Sequence, residues 1–413
     1  MLAQQTIDII KSTAPVLEIK GTEITSHFYK KLFKNHPELL NIFNHVNQKK
    51  GRQQTALANT VYAAAQNIDR LEQLLPAVKQ IAHKHRSLGI KPEQYPIVGE
   101  HLLLAIEEVL GDAATDEILE AWGEAYGVIA QVFIDVEEEM YQEAEAKEAG
   151  WRGFKDFTMI KKKTESSLIT SFYLKPNDGQ KVPSYLPGQY ITVRLGMPGE
   201  EYLFNRQYSL SSAPNGEYFR ISVKREAEYS PEGKVSNYLH DKVSAGDVIE
   251  VSAPAGDFYL EPSGHSPVTL ISGGVGITPM FSMLEDISRL NPSRQTVFVH
   301  ASRNEEVQAF KEEVIEIIDK MDNGKAFFAY ESHINSEAGC DHLGYINRNV
   351  LESLVDRDST CYVCGPAPFM KAVISSLMSI GISLDRIRYE FFGPALKFEL
   401  QEAISSERYP GNK

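Results

Sequence analysis

A glycine-rich turn between an apolar strand and a helix constrains this chain more than any other feature. Residues 268–280 read VTLISGGVGITPM, in which a short apolar run meets Gly273, Gly274 and Gly276 and a proline opens the next helix. Glycines let the backbone approach a pyrophosphate closely, and the amino end of a helix favours negative charge. The same turn also occurs in purely structural settings, so by itself it leaves both interpretations open.

The pattern around this turn predicts the fold of the C-terminal part. From residue 268 onward strands alternate with mostly helical stretches, as in VTLIS, QTVFVHAS, KAFFAYES, TCYVCG and IRYEFF. This alternation predicts a parallel sheet with crossover helices. Before it, short runs such as LITSFYLKP, GQYITVRL, YFRISVKR and DVIEVSAPAGDFYL are separated by turn residues, which predicts an antiparallel barrel or sandwich.

The N-terminal part is predicted to be all helix, because apolar residues recur at spacings of three and four. The expected helices lie near residues 4–20, 22–35, 52–68, 71–86, 95–111 and 115–147, with breaks at Pro37 and Pro76. We therefore predict a multidomain chain with boundaries at 1–149 (all-α), 150–262 (antiparallel β), 263–396 (α/β with a parallel sheet) and a tail at 397–413.

Composition narrows the class of protein. The net charge of −14 argues against nucleic acid or an anionic membrane surface as partner. No apolar stretch approaches the ~18 residues of a membrane span, and the N-terminus predicts no signal peptide. Three cysteines fit a reducing cytoplasm, and no obligate protein partner is implied. Cys361 and Cys364 have C-x-x-C spacing, but Cys361 lies in a predicted strand and no second pair exists to complete a zinc site.

Two further motifs fit the glycine turn. In RQYSL, Arg206 offers a planar fork for a pyrophosphate, Tyr208 offers a ring to stack on a flavin, and Ser209 a hydroxyl near that ring. The alternative is an ordinary strand with one exposed arginine. CGPAPFM at 364–370 follows another strand of the same sheet, as expected where a nicotinamide is held. Together the motifs resemble the ferredoxin–NADP reductase superfamily across residues 153–396.

Other elements within residues 153–396 could bind the flavin or the nicotinamide nucleotide. GKVSNYLH places Gly233 and Ser236 before a short predicted helix, a start suited to phosphate. PGQY places Tyr190 at a strand start, where it could equally be packing. Ser302 and Arg303 follow the second strand, where a 2′-phosphate could be held, so the choice between NADH and NADPH stays open.

The helical part contains a histidine and a carboxylate on apolar stripes. His85 ends a stripe with Val78 and Ala82, and Glu137 follows Phe133 on another. An unpaired buried carboxylate is costly, so Glu137 is expected to pair with the N–H of the His85 ring, an arrangement that orients metal-ligating imidazoles. The alternatives are a core histidine and a carboxylate that faces solvent at a helix end.

On the opposite side of the expected pocket, Tyr29 lies in an apolar stripe with Phe28 and Phe33, and Gln53 shares a helix face with Leu57. A hydroxyl and an amide directed into an apolar pocket could donate to an iron-bound diatomic ligand. Gln53 could equally lie at the surface, and Tyr29 could be a core aromatic with a hydrated hydroxyl.

The segments TSHFYKKLF, NIFNHVNQ, QIAHKHRSLGIKPEQYPIVGEHLL and AWGEAYGVIAQVFI resemble the globin domain of the flavohaemoglobins, the bacterial and fungal nitric oxide dioxygenases. The resemblance covers residues 1 to about 396 and implies a globin domain, an FAD-binding barrel and an NAD(P)-binding domain. On the haem side it implies His85 as proximal ligand, with Tyr95 and Glu137 as a proximal hydrogen-bonding pair. It implies Tyr29 and Gln53 on the distal side and Phe43 against the haem. Lys84 and Glu390 are implied to act in communication between haem and flavin.

The resemblance also assigns the other cofactor contacts. The flavin contacts are Tyr190, Arg206, Gln207, Tyr208, Ser209, Phe391, Phe392, Gly393 and Pro394, and the nucleotide loop is Gly273, Gly274, Val275, Gly276, Ile277 and Thr278. The implied cofactors are haem b, FAD and NAD(P)H. The tail from residue 397 is longer than members of this family usually carry.

The implied activity is a nitric oxide dioxygenase, in which electrons from NAD(P)H pass through FAD to haem iron and bound O2 oxidises nitric oxide to nitrate. FAD is needed because nicotinamide donates two electrons and the iron accepts one at a time. Two alternatives stay open: a haem-based gas sensor or oxygen-binding protein with an attached reductase, and a flavin reductase with a degenerate helical domain.

Overall fold

The structure is a computed structural model that describes residues 2–43, 48, 51–227, 232–262, 264–334 and 339–392. The predicted tail at 397–413 and two predicted flavin contacts, Gly393 and Pro394, lie outside these residues. The chain divides into two compact units. They consist of Met1–Phe154 with Thr192–Arg206, and of Lys155–Ile191 with Gln207–Lys413.

Helices make up nearly all of the first unit before residue 150. They are α1 (Gln4–Asn35), α2 (Arg52–Gln66), α3 (Leu75–Leu88), α4 (Gln94–Leu110) and α5 (Asp116–Ala146), with 3-10 turns at Pro37–Asn41, Leu71–Leu74 and Gly111–Ala113. Their apolar faces share one core that includes Phe28, Leu32, Leu102, Ala105 and Trp122. The predicted all-helical segment is confirmed.

One predicted helix boundary is wrong. The sequence predicted separate helices at 4–20 and 22–35, but α1 is continuous through Gly21. A Cβ at residue 21 would come within 3.3 Å of the Ala58 Cβ on α2, so the missing side chain lets the two helices pack closely. This packing outweighs the ~1 kcal/mol that a glycine costs inside a helix. Pro37 and Pro76 do lie at breaks between helical segments, as predicted.

Six strands form the first sheet, as the runs separated by turn residues predict. The strands are β1 (Phe154–Thr164), β2 (Ile169–Pro176), β3 (Tyr190–Leu195), β4 (Phe204–Ser209), β5 (Phe219–Lys224) and β6 (Val248–Ser252), in the order β4-β3-β6-β1-β2-β5. The pairs β1–β2 and β2–β5 are antiparallel. A short helix, α6 (Lys234–Asp241), begins directly after Gly233.

The second sheet is parallel, as predicted. Its strands are β7 (Val268–Gly273), β8 (Thr296–Ser302), β9 (Gly324–Tyr330), β10 (His342–Leu343), β11 (Thr360–Cys364) and β12 (Ile387–Glu390), in the order β10-β9-β8-β7-β11-β12. The helices are α7 (Ile277–Leu290), α8 (Lys311–Ile318), α9 (Arg348–Leu354) and α10 (Ala367–Ser379).

Burial on both faces explains the continuous apolar character of β7. Leu270 belongs to a core cluster with side chains of α7 and α8, whereas its neighbour Ile271 belongs to a second cluster with side chains of α9 and α10. Successive side chains of a strand point to opposite faces, so helices cover both sides of this sheet. The carboxyl ends of β7 and β11, which are adjacent strands, therefore meet at one edge.

Candidate active site

The first candidate group lies where α3 and α5 bring a histidine and a carboxylate together. Nδ1 of His85 lies 2.7 Å from Oε1 of Glu137, which is only 4% exposed. The predicted contact is therefore present, and the interpretation of Glu137 as a solvent-facing carboxylate is wrong. Because an ionised carboxylate can only accept, the proton of this hydrogen bond belongs to Nδ1 of the ring.

Tyr95, in the first turn of α4, completes the group. Its hydroxyl donates to the same Oε1 of Glu137 at 2.6 Å. Burial, and next the negative charge of Glu137, raise the pKa of Tyr95 far above its usual value, so the hydroxyl keeps its proton. Tyr126 in turn donates to the backbone oxygen of Tyr95 at 2.6 Å. Nε2 of His85 has no hydrogen-bond partner among the described residues and could ligate a metal.

Tyr29 lies among aromatic rings on α1 and beyond it. Its ring centroid is 5.7 Å from those of Phe33 and Phe43, and the residue is 6% exposed. Within the described part of the chain, no hydrogen bond reaches its hydroxyl, and burial raises its pKa well above the usual value. A polar group of a largely buried residue is stabilised by a hydrogen-bond partner. This position therefore suits a ligand that accepts a hydrogen bond.

The side-chain amide of Gln53 is oriented by two other glutamines that the sequence did not single out. Nε2 of Gln54 donates to Oε1 of Gln48 at 3.0 Å, and Nε2 of Gln48 donates to Oε1 of Gln53 at 2.9 Å. The oxygen of Gln53 is thus occupied and its NH2 group is left as the donor. No periodic pattern marks Gln48, and only its proximity to Gln53 in sequence could have suggested it.

The RQYS motif occupies the end of β4, where Arg206, Gln207, Tyr208 and Ser209 follow one another. Oγ of Ser209 is buried and is without a hydrogen-bond partner in the part of the chain that the structure describes. Such a group requires a partner, which a ligand can supply. Tyr190, at the start of β3, is buried and pairs through its backbone with Ala255.

One contact in the first unit was missed from the sequence. Nδ2 of Asn205, directly before Arg206, donates to the backbone oxygens of Asn41 at 2.8 Å and Ile42 at 3.1 Å. Oδ1 of Asn41 accepts from the backbone N–H of Leu203 at 2.9 Å. The start of β4 is thereby joined to the segment just before Phe43. Backbone acceptors leave no side-chain pattern, so no sequence signal pointed to this contact.

The turn at the start of α6 differs from the expectation in two respects. Ser236 was expected before the helix, but α6 begins at Lys234, so Ser236 lies in its first turn. The Ser236 hydroxyl donates to the backbone oxygen of Gly233 at 3.0 Å and accepts from the backbone N–H of Glu226 at 3.2 Å. It therefore closes the turn instead of pointing freely outward. A phosphate here would have to rely mainly on the backbone N–H groups of the first helical turn.

The nucleotide loop runs from Gly273 through Gly274, Val275 and Gly276 into Ile277 and Thr278 at the start of α7. Gly274 has φ +54°, a conformation that disfavours other residues, and a Cβ on Gly276 would lie 2.3 Å from the Cys364 backbone oxygen. The glycines thus allow the loop to touch the CGPAPF segment. The two predicted nucleotide motifs meet here, at the carboxyl ends of β7 and β11.

The remaining predicted residues lie at the ends of elements. Glu390 is the last residue of β12 and pairs in register with Cys364 of β11. Phe391 and Phe392 follow β12, which is shorter than the predicted run IRYEFF, and Phe392 is 47% exposed. Lys84 directly precedes His85 on α3.

The cysteines of the C-x-x-C sequence are both buried free thiols on β11. Burial raises the pKa of the Cys361 thiol to about 12 and that of Cys364 well above its usual value. Both thiols therefore stay protonated near neutral pH, whereas the thiolate is the reactive and metal-binding form.

Three family models match the chain in succession. The Globin model matches residues 26–133, the Oxidoreductase FAD-binding domain residues 156–259 and the Oxidoreductase NAD-binding domain residues 270–375. The chain is therefore an oxidoreductase with FAD-binding and NAD-binding domains behind a globin domain. Among the described residues, no helix has the length and apolar character needed to cross a membrane.

Two relatives match nearly the whole chain. The Flavohemoprotein of Bacillus thuringiensis subsp. konkukian (strain 97-27) is 55% identical over 97% of this chain and 100% of that protein. The Flavohemoprotein of Rhizobium meliloti (strain 1021) is 47% identical over 96% of this chain and 99% of that protein.

Two solved structures extend the likeness to the fold. A flavohemoglobin from Malassezia yamatoensis, with bound FAD and heme, superposes with a TM-score of 0.84 at 27% identity, over 95% of this chain and 100% of that one. The flavohem-like FAD/NAD binding domain of a nitric oxide dioxygenase from Vibrio cholerae O1 biovar El Tor covers 58% of this chain and 99% of that one, with 38% identity and a TM-score of 0.54. Because identity near one half extends over nearly the whole of both chains and all three domains match in order, this protein belongs to the flavohemoprotein family.

Proposed function

We propose that this protein is a nitric oxide dioxygenase, which uses NAD(P)H and O2 to convert nitric oxide into nitrate. The observation that carries the proposal is the hydrogen-bonded group of His85, Tyr95 and the buried Glu137 carboxylate, in which Nε2 of His85 lacks a partner among the described residues. When bound, haem would supply the iron at which O2 oxidises nitric oxide, and FAD would convert the two-electron supply of the nicotinamide into single electrons. The similar FAD/NAD binding domain from Vibrio cholerae belongs to a nitric oxide dioxygenase.

The residues of the helical unit fit a haem. His85 would hold the iron through Nε2, because Nδ1 carries the proton that Glu137 accepts. Tyr95 fixes the carboxylate, and a firmly accepted Nδ1 proton makes Nε2 a stronger electron donor. On the other side, the protonated Tyr29 hydroxyl and the Gln53 NH2 group would donate to a gaseous ligand. Phe43 packs edge-on against the Tyr29 ring and keeps this region apolar.

The residues of the two sheets fit FAD and a nicotinamide nucleotide. Ser209 has a buried hydroxyl that a flavin could satisfy, and Arg206 and Tyr208 would contact its pyrophosphate and ring. Gln207, Tyr190, Phe391 and the segment at Gly233 are proposed as further flavin contacts. The loop 273–278 would hold the nucleotide pyrophosphate against the start of α7. We propose no preference between NADH and NADPH.

The organisation of the protein follows from the same proposal. We propose the globin domain at 1–149, the FAD-binding domain at 150–262, the NAD(P)-binding domain at 263–396 and a tail at 397–413. O2 and nitric oxide would be the only partners besides the cofactors, and the cytoplasm would be the site of action.

The test combines spectroscopy with turnover. The purified holoprotein should show a Soret band and a flavin band, both of which change on anaerobic addition of NADH. With O2 and NADH present, nitric oxide should disappear at many turnovers per haem and give an equal amount of nitrate. A haem-loaded protein that binds O2 without consuming nitric oxide would instead be an oxygen-binding or sensor protein. Reduction of an artificial acceptor without any Soret band would indicate a flavin reductase.

A further inference from the structure

One face of helix α7 holds the chain segment that follows the flavin motif. Ser282, Glu285 and Arg289 are spaced at three and four residues, so they lie on the same side of the helix. Their hydrogen-bond partners are three consecutive residues, Ser212, Ala213 and Pro214. Oγ of Ser282 donates to the Ser212 backbone oxygen at 2.6 Å. The backbone N–H of Ala213 donates to Oε2 of Glu285 at 2.7 Å. Nη1 of Arg289 donates to the Pro214 backbone oxygen at 2.7 Å.

A buried arginine reinforces the central contact. Nη2 of Arg220, on β5, donates to Oε1 of Glu285 at 3.2 Å, and the residue is 8% exposed. Its guanidinium lies about 5 Å from the ring centroids of Phe281 and Phe310, and its Nε donates to Ser211 Oγ at 3.2 Å. Because both oxygens of Glu285 are engaged and its ion-pair partner is buried, this carboxylate has little freedom to move.

The contact between α7 and the segment 212–214 connects the glycine loop with the flavin motif. Helix α7 begins at Ile277, directly after the glycine loop proposed to hold the nicotinamide nucleotide. The bonded segment starts three residues after Ser209, the last residue of the proposed flavin motif. All of these residues belong to the second compact unit. A shift of α7 along this segment would move the nucleotide loop relative to Ser209.

From this geometry we infer that Glu285 is a positioning residue for hydride transfer, which it supports by fixing helix α7 to the segment 212–214. The inference rests on the proposed reduction of FAD by NAD(P)H. In that step the dihydronicotinamide loses a hydride, which carries two electrons, and the flavin gains the hydride together with one proton from water. Both oxygens of Glu285 are engaged by Ala213 and Arg220, so it would act through the separation and alignment of the two rings.

The experiment measures flavin reduction by NADH in the anaerobic holoprotein, followed by stopped flow in the flavin band with normal and 4-deuterated NADH. Glu285→Ala removes both contacts and should slow reduction at saturating NADH by tenfold to a hundredfold, about the cost of a 1 Å misplacement. The deuterium isotope effect should rise, because the transfer distance grows. The NADH concentration for half-maximal rate should change less than about twofold, since the nucleotide loop itself is unaltered.

Two further variants keep the test decisive. Glu285→Gln retains an acceptor for the Ala213 N–H and should recover part of the rate, and it serves as the test if Glu285→Ala fails to fold. Glu316→Ala removes an exposed carboxylate from the neighbouring helix α8 and should match the wild type. Normal rates and isotope effects in folded, FAD-loaded Glu285→Ala and Glu285→Gln would overturn the inference. If NADH does not reduce even the wild-type flavin, the proposed function fails instead.

Discussion

The Nδ1 atom of His85 and the Oε1 atom of Glu137 lie 2.7 Å apart, although 51 residues separate them in the chain. Oε1 also accepts from Tyr95 at 2.6 Å, so one carboxylate oxygen fixes two side chains. This geometry sets the tautomer of the imidazole and directs its second nitrogen away from the carboxylate. The first two predictions concern this group.

Replacement of His85 by alanine removes the only nitrogen proposed to ligate haem iron. We expect His85→Ala to be purified with little or loosely held haem and a normal content of FAD. Reduction of an artificial acceptor by NADH should persist, because the core clusters on the two faces of the parallel sheet contain no residue of the helical part. His83→Ala, two residues earlier on the same helix, is the matched control. A normal Soret spectrum and normal nitric oxide consumption in His85→Ala would contradict the assignment.

Replacement of Glu137 by glutamine keeps the shape and removes the charge. A neutral amide oxygen accepts a weaker hydrogen bond from Nδ1 than a carboxylate does, so His85 should donate less electron density to iron. We expect a higher haem midpoint potential in Glu137→Gln and a smaller rise in Tyr95→Phe. Glu138→Gln alters the next residue, which pairs with Arg152 at the surface, and should leave the potential unchanged. Spectroelectrochemical titration of the Soret band measures all three, and an unshifted potential in Glu137→Gln would refute this role.

The Tyr29 hydroxyl should retain O2 in the reduced holoprotein. A hydrogen bond to a charged group contributes roughly 1.5–3 kcal/mol. Tyr29→Phe should therefore speed O2 dissociation by about tenfold to a hundredfold, at about 1.4 kcal/mol per decade. Gln53→Ala should have a smaller effect of the same sign. Flash photolysis or rapid mixing gives the rate, with Tyr62→Phe, on the neighbouring helix, as the control. An unchanged rate in Tyr29→Phe would show that its hydroxyl does not reach the ligand.

A side chain at Gly276 should damage the nucleotide site. The Cβ of Gly276→Ala would lie 2.3 Å from the Cys364 backbone oxygen, which cannot move like a side chain. Overpacking of this kind costs about 1–3 kcal/mol. We expect a lower thermal midpoint and weaker NADH binding. Gly127→Ala makes the same chemical change in α5, where the new Cβ would have no atom within 4 Å, and should stabilise by about 0.5–1 kcal/mol. Equal effects of the two changes would contradict the close approach.

Charge reversal at Lys84 or Glu390 tests their proposed part in communication between haem and flavin. Lys84→Glu and Glu390→Lys should slow electron transfer from flavin to haem and leave flavin reduction by NADH intact. Stopped flow separates the steps, because the first is followed in the Soret band and the second in the flavin band. Lys79→Glu, five residues earlier on α3, controls for a general change of charge. Normal flavin-to-haem rates in both reversals would assign this role to other residues.

Periodicity predicted what depends on local spacing, and physical chemistry predicted one long-range contact. The helical part was predicted from apolar residues at spacings of three and four. The antiparallel part was predicted from short runs separated by turn residues, and the parallel part from strands that alternate with helical stretches. The contact between His85 and Glu137 was predicted because a carboxylate on an apolar face requires a partner. The break at residue 21 was wrong because glycine there serves packing against Ala58. A single sequence does not show which distant helix will approach it.

Contacts made through the backbone were beyond prediction. Asn205 donates to the carbonyl oxygens of Asn41 and Ile42, and every residue has a carbonyl oxygen, so no residue type marks the acceptor. The same holds for Ser212, Ala213 and Pro214, which α7 binds mainly through their backbone atoms. Side-chain chemistry can be read in a sequence, whereas the choice among chemically identical backbone groups is made only by the folded chain.

The bond from Asn205 to Asn41 has a practical consequence for dissecting this protein. A fragment that ends at residue 149 would lose the strand segment Thr192–Arg206, which belongs to the same compact unit as the helices. The carbonyl oxygens of Asn41 and Ile42 would then be left to water, and the segment before Phe43 would lose its support. An excised globin fragment should therefore bind haem with a distal side that is looser than in the full-length chain. Ligand-binding constants measured on such a fragment should therefore differ from those of the full-length protein.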